Sequence, residues 1–366
     1  GTANDVVMWS DSDTLTDAPI AISGNNATFA GEVIIDNTGS SFLKVRHDDG
    51  TWNYFGSAES LIAPFGDKND LGIYSSGKVG IWAGFVFINP DPDAGPLEEF
   101  IGDMDGHFQV WDLENRYKQA HVAKVIHANW KIAQEAFCEA FHVNATHPQI
   151  MAYLGDTNSQ VDVWDNFARV ISPGGTPSPL LDYEVSEEDQ MRSMLDVSYD
   201  KELPVTIPEG ETMRAHAAAL SRDRWRPMAG DWVDSMSDAE MMDSIDYTLF
   251  PNFHPWGAFN RIVYRFRPNG DDHRSSIMEC IFLAPYKKGQ KPDPAPVHWL
   301  TDDENFSDAP ELDTLGKVFD QDVFNMGKVQ LGLETTQKTG VVLSNYQESK
   351  VRWLHHKLSE WCEEEK

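Results

Sequence analysis

Between residues 20 and 88 the apolar positions fall in short runs. ATFAGEVIID, SFLKVRHDDGTW and GKVGIWAGFVFI are each rich in Val, Ile or aromatics and broken by Gly, Asn or Asp. This pattern predicts short β-strands joined by tight turns. NPDPDAGPLEEF (89–100) then reads as a Pro/Asp/Gly loop and a domain boundary. The segment 108–130, FQVWDLENRYKQAHVAKVIHANW, alternates loosely as strands. WKIAQEAFCEAFH (130–142) has a helical period, with apolar Ile132, Ala136, Phe137 and Ala140. Residues 171–245 are polar and punctuated by Pro and Gly, with a few helical pieces, and read as a lid or an oligomer contact. The stretch 247–286 predicts strands turned at RPNGDD. Two helices close the chain, near 311–333 and 345–362. The expected organisation is α+β, with a β-rich domain over 1–110 and a mixed domain over 111–366, in which an antiparallel sheet carries long C-terminal helices.

Charge narrows the partners. Lys and Arg number 29 against 59 Asp and Glu, a formal net charge of −30. A field of that sign repels nucleic acid and anionic membrane surfaces. Neither an 18-residue apolar stretch nor a signal-peptide layout is present, so a cytoplasmic location is expected. Three widely spaced cysteines, Cys138, Cys280 and Cys362, offer neither a disulfide framework nor a CxxC metal cluster.

The densest chemistry lies in QEAFCEAFHVNATHPQI (134–150). His142 and His147 are separated by about 140° on a regular helix, too far to share a face. Pro148 disfavours helical geometry at His147, so a break there lets the second ring swing back toward the first. Glu139 precedes His142 by one helical turn and can accept a hydrogen bond from its ring, which would fix the tautomer of a metal-ligating histidine. Two imidazoles and one carboxylate form a facial triad suited to non-haem Fe(II). A carboxylate from elsewhere is then required, and KVFDQDVFNMGKVQLGL offers Asp320 and Asp322. By themselves both acids are better read as helix-start residues favoured by the helix dipole, and Cys138 reads as a core thiol.

NWKIAQEAFCEAFHVNATHP (129–148) resembles the catalytic-domain motif of Rieske non-haem iron ring-hydroxylating oxygenases, large (alpha) subunit, with its N-W-K…E-x-F-x-E/D-x-Y/F-H-x4-H-P pattern. GIWAGFVFINPDPDAGPLEEFIGD, YTLFPNFHPW, YRFRPNG and FDQDVFNMGKVQLGL resemble the same family in the same order. The resemblance implies a helix-grip catalytic domain and a mononuclear Fe(II) held by His142, His147 and Asp322. It favours Asp322 over Asp320 by the spacing to Met326 and Gln330. Glu139 is implied as a catalytic carboxylate bridging the ligand histidine to a cluster histidine of a neighbouring subunit, where the family usually has Asp.

The family's N-terminal domain holds a [2Fe-2S] cluster on C-x-H…C-x-x-H ligands. Here no cysteine precedes Cys138, and His47 is the only histidine before His107. The expectation is therefore a truncated Rieske-like domain with no [2Fe-2S] cluster in this chain. Electrons would come from a Rieske-bearing sister subunit or a ferredoxin and reductase, in a trimeric or hetero-hexameric assembly. The expected reaction is hydroxylation or oxidative demethylation of a hydrophobic aromatic, alicyclic or steroid-like substrate with O2. Trp164, Phe167, Phe250, Trp256 and Phe259 are pocket candidates. Two other readings stand beside it: a non-catalytic scaffold subunit, and a metal-dependent hydrolase with Zn2+ and an activated water, or a ligand-binding protein, on the same fold.

Overall fold

The computed structural model describes residues 78–363 except Pro90, Pro92 and Phe259, and before residue 78 only the backbone of short strand segments. The chain divides into two compact units, 1–100 and 101–366. In the first, Asp5–Trp9, Leu15–Ser23 and Asn26–Phe29 form an antiparallel sheet. Leu43–Arg46 pairs with Trp52–Phe55, and Lys78–Trp82 pairs with Phe85–Asn89. The second of these hairpins turns at Ala83 and Gly84, both at positive φ. Most of the stretch on which the expectation of a truncated Rieske-like domain without a cluster rests, including His47 and residues 56–77, lies outside the described residues.

The second unit is mixed α+β. Its elements are β1 (Arg116–Ile126), α1 (Trp130–Glu135), α2 (Val143–Thr146), β2 (Gln160–Val163), β3 (Phe167–Ser172), α3 (Glu187–Leu195), α4 (Met213–Ala229), β4 (Ser244–Leu249), β5 (His254–Pro255), β6 (Ile262–Asn269), β7 (Asp272–Pro285), β8 (His298–Leu300), α5 (Leu315–Thr335) and α6 (Ser349–Glu363). A five-stranded sheet runs β5-β6-β7-β1-β8, antiparallel except where β8 lies parallel to β1. A three-stranded antiparallel sheet runs β4-β3-β2. Bridges from Asp246 to Trp256 and from Leu249 to Phe253 join β4 to the β5 edge. The β6–β7 hairpin turns where RPNGDD predicts it, with Gly270 at φ 57, a conformation glycine adopts without a Cβ clash. The polar segment 171–245 holds two well-formed helices. Few of their apolar positions are buried: α3 buries Met191 and α4 buries Met213, Ala217, Ala218 and Trp225. Among the described residues no helix is long and apolar enough to cross a membrane.

One face of the large sheet forms the main core. Val122, Tyr264, Phe266, Met278, Cys280 and Phe282 meet Ile132 and Ala133 of α1 and Phe319 and Met326 of α5. Alternation puts Glu279 on the opposite face, 2% exposed. Arg265 grips both its oxygens, Nε to Oε2 at 2.6 Å and Nη2 to Oε1 at 2.7 Å, and Arg267 and His121 add bonds at 3.0 and 3.1 Å. Burial opposes the charge, but the bonds from His121, Arg265 and Arg267 overcome it and hold the carboxyl well below the ordinary range. The ionised group therefore contributes stability that is present above about pH 4 and is lost as pH falls toward the depressed folded value. Glu279→Gln is expected to cost about 2 kcal/mol at pH 7, because both arginines are partly solvated, and to flatten the acid limb of stability. Urea unfolding of both proteins at pH 7 and pH 3.5 tests this; parallel losses on acidification would refute it.

Candidate metal centre

Two segments build the centre. Asn129 caps α1, accepting from the Lys131 amide at 3.0 Å, while its own amide donates to Gln330 Oε1 of α5 at 2.9 Å. The helical period continues to His142, yet α1 stops at Glu135. Tertiary contacts override the local pattern here. Cys138 is drawn into a side cluster with Ala168, Phe250, Val351 and Leu354. The Phe137 carbonyl accepts from Lys350 Nζ at 3.3 Å. Glu139 then takes over the local backbone bonding, accepting from the His142 amide at 2.9 Å through Oε2.

His142 is the N-cap of α2 and His147 its C-cap, with φ −126° and ψ 53° directly before Pro148. The proline thus takes His147 out of the helix, and the two rings come to 5.4 Å between centroids. Asp322 comes from α5, on a buried stripe of Gly316, Phe319, Asp322, Met326 and Gln330. Spacings of three and four put these on one face, and a carboxylate amid that stripe is the anomaly. Gly316 opens the helix against the Phe306–Ser307 backbone, where a Cβ would approach the Phe306 carbonyl oxygen to 2.7 Å.

Asp322 Oδ1 lies 2.8 Å from His147 Nε2 and 3.6 Å from His142 Nε2. Each ring has its Nδ1 on an oxygen, of Glu139 Oε1 at 2.9 Å for His142 and of Gln321 Oε1 at 2.9 Å for His147. One ligand atom from each of His142, His147 and Asp322 can be chosen so that all lie within 4.8 Å of one another, the one such group of three found among the described residues. Two Nε2 atoms converging on one carboxylate oxygen is a geometry that a cation among them satisfies, and the donor set is a facial triad. Burial would lower the His142 pKa, but the Glu139 hydrogen bond and the charges of Glu139 and Asp322 outweigh it and raise it.

Asp320 does other work. It accepts from the Phe306 and Ser307 amides at 2.7 and 3.2 Å. Neither acid is a helix-start residue, since α5 begins at Leu315. Cys138 is fully buried, with its thiol pushed up to about 12 by burial. Of the pocket candidates, Trp164 stacks on Phe167 at 4.4 Å under Arg169, and Phe250 packs on Trp353 and Trp361. Trp256 lies against Tyr264, whereas Phe259 is outside the described residues. Phe137 contacts Tyr264 at 4.5 Å and Phe266 at 5.2 Å, and Tyr264 reaches Phe319. Several buried polar atoms here have no partner: both amide atoms of Gln134, Asp246 Oδ1, His254 Nε2 and Trp256 Nε1. The sequence reading missed Gln321, Gln134, Asp246 and Lys350. The signal for Lys350 is a lysine in register with Val351, Leu354 and Leu358 on the apolar face of α6.

The chain belongs to the ring hydroxylating alpha subunit (catalytic domain) family, whose pattern matches residues 109–364. Membership makes it an oxidoreductase of the ring-hydroxylating oxygenase class. The glycine betaine monooxygenase oxygenase subunit of Chromohalobacter salexigens is 26% identical over 107 residues, 28% of this chain and 24% of that protein. The match thus spans about a quarter of that relative's length. Among solved structures, a quaternary ammonium Rieske monooxygenase is similar at TM-score 0.47 and 15% identity, over 85% of this chain and 72% of the other. Naphthalene 1,2-dioxygenase with indole bound is similar at TM-score 0.45 and 14% identity, over 86% and 79%.

Proposed function

We propose that residues 111–366 form a mononuclear iron domain in which His142, His147 and Asp322 hold Fe(II), and that the protein oxygenates a small organic substrate with O2. The carrying observation is the convergence of both Nε2 atoms on Asp322 Oδ1. When bound there, iron would supply reduction of dioxygen and insertion of oxygen into a C–H bond. The chain's residues do the rest. Glu139 orients the His142 ring, and Phe319 and Met326 flank Asp322 on its helix face.

The substrate would have to open space between the large sheet and α1 and α5, where Phe137, Trp256, Tyr264 and Phe266 pack against one another. Unpartnered Gln134, Asp246, His254 and Trp256 atoms favour a ligand with polar groups. Aromatic faces suit an N-methyl cation. With the likeness to a glycine betaine monooxygenase, this favours oxidative N-demethylation of a small cation over the hydrophobic aromatic, alicyclic or steroid-like substrates expected from sequence. The balance is R–N–CH3 + O2 + 2 e− + 2 H+ → R–N–CH2OH + H2O, and the hydroxymethyl group then leaves as formaldehyde.

The two electrons need a donor outside these 366 residues, because Cys138 is the first cysteine. A [2Fe-2S] cluster on further residues of this chain or on a Rieske-bearing partner in a trimeric or hetero-hexameric assembly would supply them. Glu139, bonded to His142 Nδ1, is the proposed link to that donor. Glu139→Gln should retain iron and slow electron delivery at least about tenfold; unchanged single-turnover kinetics would remove the role. The test of the whole reading is metal content after anaerobic Fe(II) loading, followed by formaldehyde release from glycine betaine with a Rieske donor. About one iron per chain is expected. Zinc-dependent hydrolysis without oxygen consumption would instead favour the hydrolase.

A further inference from the structure

The two histidines of the centre have unlike outer partners. His142 Nδ1 faces the Glu139 carboxylate, and His147 Nδ1 faces the side-chain amide of Gln321. We propose that Gln321, locked by Gln149, is the positioning residue that fixes the tautomer and ring direction of His147; this rests on the iron-site reading above.

Gln321 Oε1 lies 2.9 Å from His147 Nδ1 and also accepts from Gln149 Nε2 at 2.7 Å. In return Gln321 Nε2 donates to Gln149 Oε1 at 3.3 Å. The two amides are therefore paired head to tail. Rotating Gln321 alone would set its NH2 against the NH2 of Gln149, so with Gln149 in its observed orientation the Gln321 oxygen faces the ring. An oxygen there accepts only from Nδ1–H. That assigns the proton to Nδ1, so that with a cation bound the Nε2 lone pair, 2.8 Å from Asp322 Oδ1, would be free to ligate it. A second strap fixes the same two segments, Asn325 Nδ2 to Thr146 Oγ1 at 3.2 Å. One stretch of α5 thus supplies both the carboxylate of the centre and the amide that aims its second imidazole.

Gln149 is exposed and Gln321 half-buried, so neither is explained by core packing. An amide cannot carry the negative charge that Glu139 carries, so the charged outer partner is confined to His142.

The test is Co(II) binding to the full chain, read by titration and by the visible spectrum of the bound ion, for wild type and for Gln321→Leu, Gln321→Glu and Gln149→Leu. Gln321→Leu removes the acceptor and should weaken Co(II) about 10–100-fold with a changed spectrum. Gln321→Glu keeps an acceptor and should bind Co(II) close to wild type. Gln149→Leu, at an exposed position that does not threaten folding, should lose less than Gln321→Leu in the same direction. Wild-type affinity and spectrum in Gln321→Leu, or equal losses in the Leu and Glu variants, would overturn the role. If Gln321→Leu does not fold, an unaltered Gln149→Leu overturns it. Failure of the wild type itself to bind Co(II) would overturn the metal site, and this role with it.

Discussion

Asp322→Ala should leave a folded protein that holds no iron and turns over at less than about one thousandth of the wild-type rate. Among the described residues its carboxylate is the acid of the one candidate ligand group, and both Nε2 atoms point at its Oδ1. The matching control is Asp320→Ala, two residues away on the same helix. Asp320 faces the Phe306 and Ser307 amides, so its loss should cost about 1 kcal/mol of stability and no iron. Metal content, turnover and thermal unfolding of the two variants separate a ligand from a structural cap. Iron retained at wild-type level in Asp322→Ala would sink the assignment. Iron lost equally in both variants would mean that the helix had shifted rather than that a ligand was gone.

The same pair shows how far the sequence could be read. Two acids two residues apart on an amphipathic helix are indistinguishable by composition, and spacing alone assigned both to a helix start. The family resemblance favoured Asp322 by its spacing to Met326 and Gln330, and Asp322 does lie on the buried stripe through Phe319 and Met326. The His147 break was legible because Pro148 acts locally on its neighbour. The end of α1 was not, because what stops that helix is distant in sequence: Lys350 on the Phe137 carbonyl and Cys138 in a cluster with Phe250 and Leu354. The hairpin at RPNGDD and the two closing helices were legible for the opposite reason. Their signals, a glycine turn and a sustained period, lie within the element itself. The helices of 171–245 bury too few apolar positions to give such a period.

Lys350 carries the largest expected effect on stability. It is fully buried, with Nζ 3.0 Å from Asp246 Oδ2 and a further bond to the Phe137 carbonyl. Burial pushes the Asp246 carboxyl up to about 6, against the downward pull of Lys350. Because this folded value exceeds the unfolded value of about 4, the folded state binds the proton more tightly. The contribution of Asp246 to stability therefore declines as pH rises from about 4 to about 6. Lys350→Met removes that pull, raises the folded value further and leaves an uncompensated buried carboxylate at neutral pH. The expected loss is about 3–5 kcal/mol at pH 8 and clearly less at pH 5, where the carboxyl can be neutral. Lys350→Met combined with Asp246→Leu should recover much of that loss, since an apolar pair of similar volume removes both desolvation penalties. Urea unfolding at the two pH values decides it; an equal deficit at both would show that Lys350 supports the fold by packing and by the Phe137 carbonyl alone. The consequence reaches the centre in either case. Phe137 lies on the irregular stretch between α1 and His142, so a protein that keeps its fold but loses this tether should bind Fe(II) more weakly although every ligand is intact.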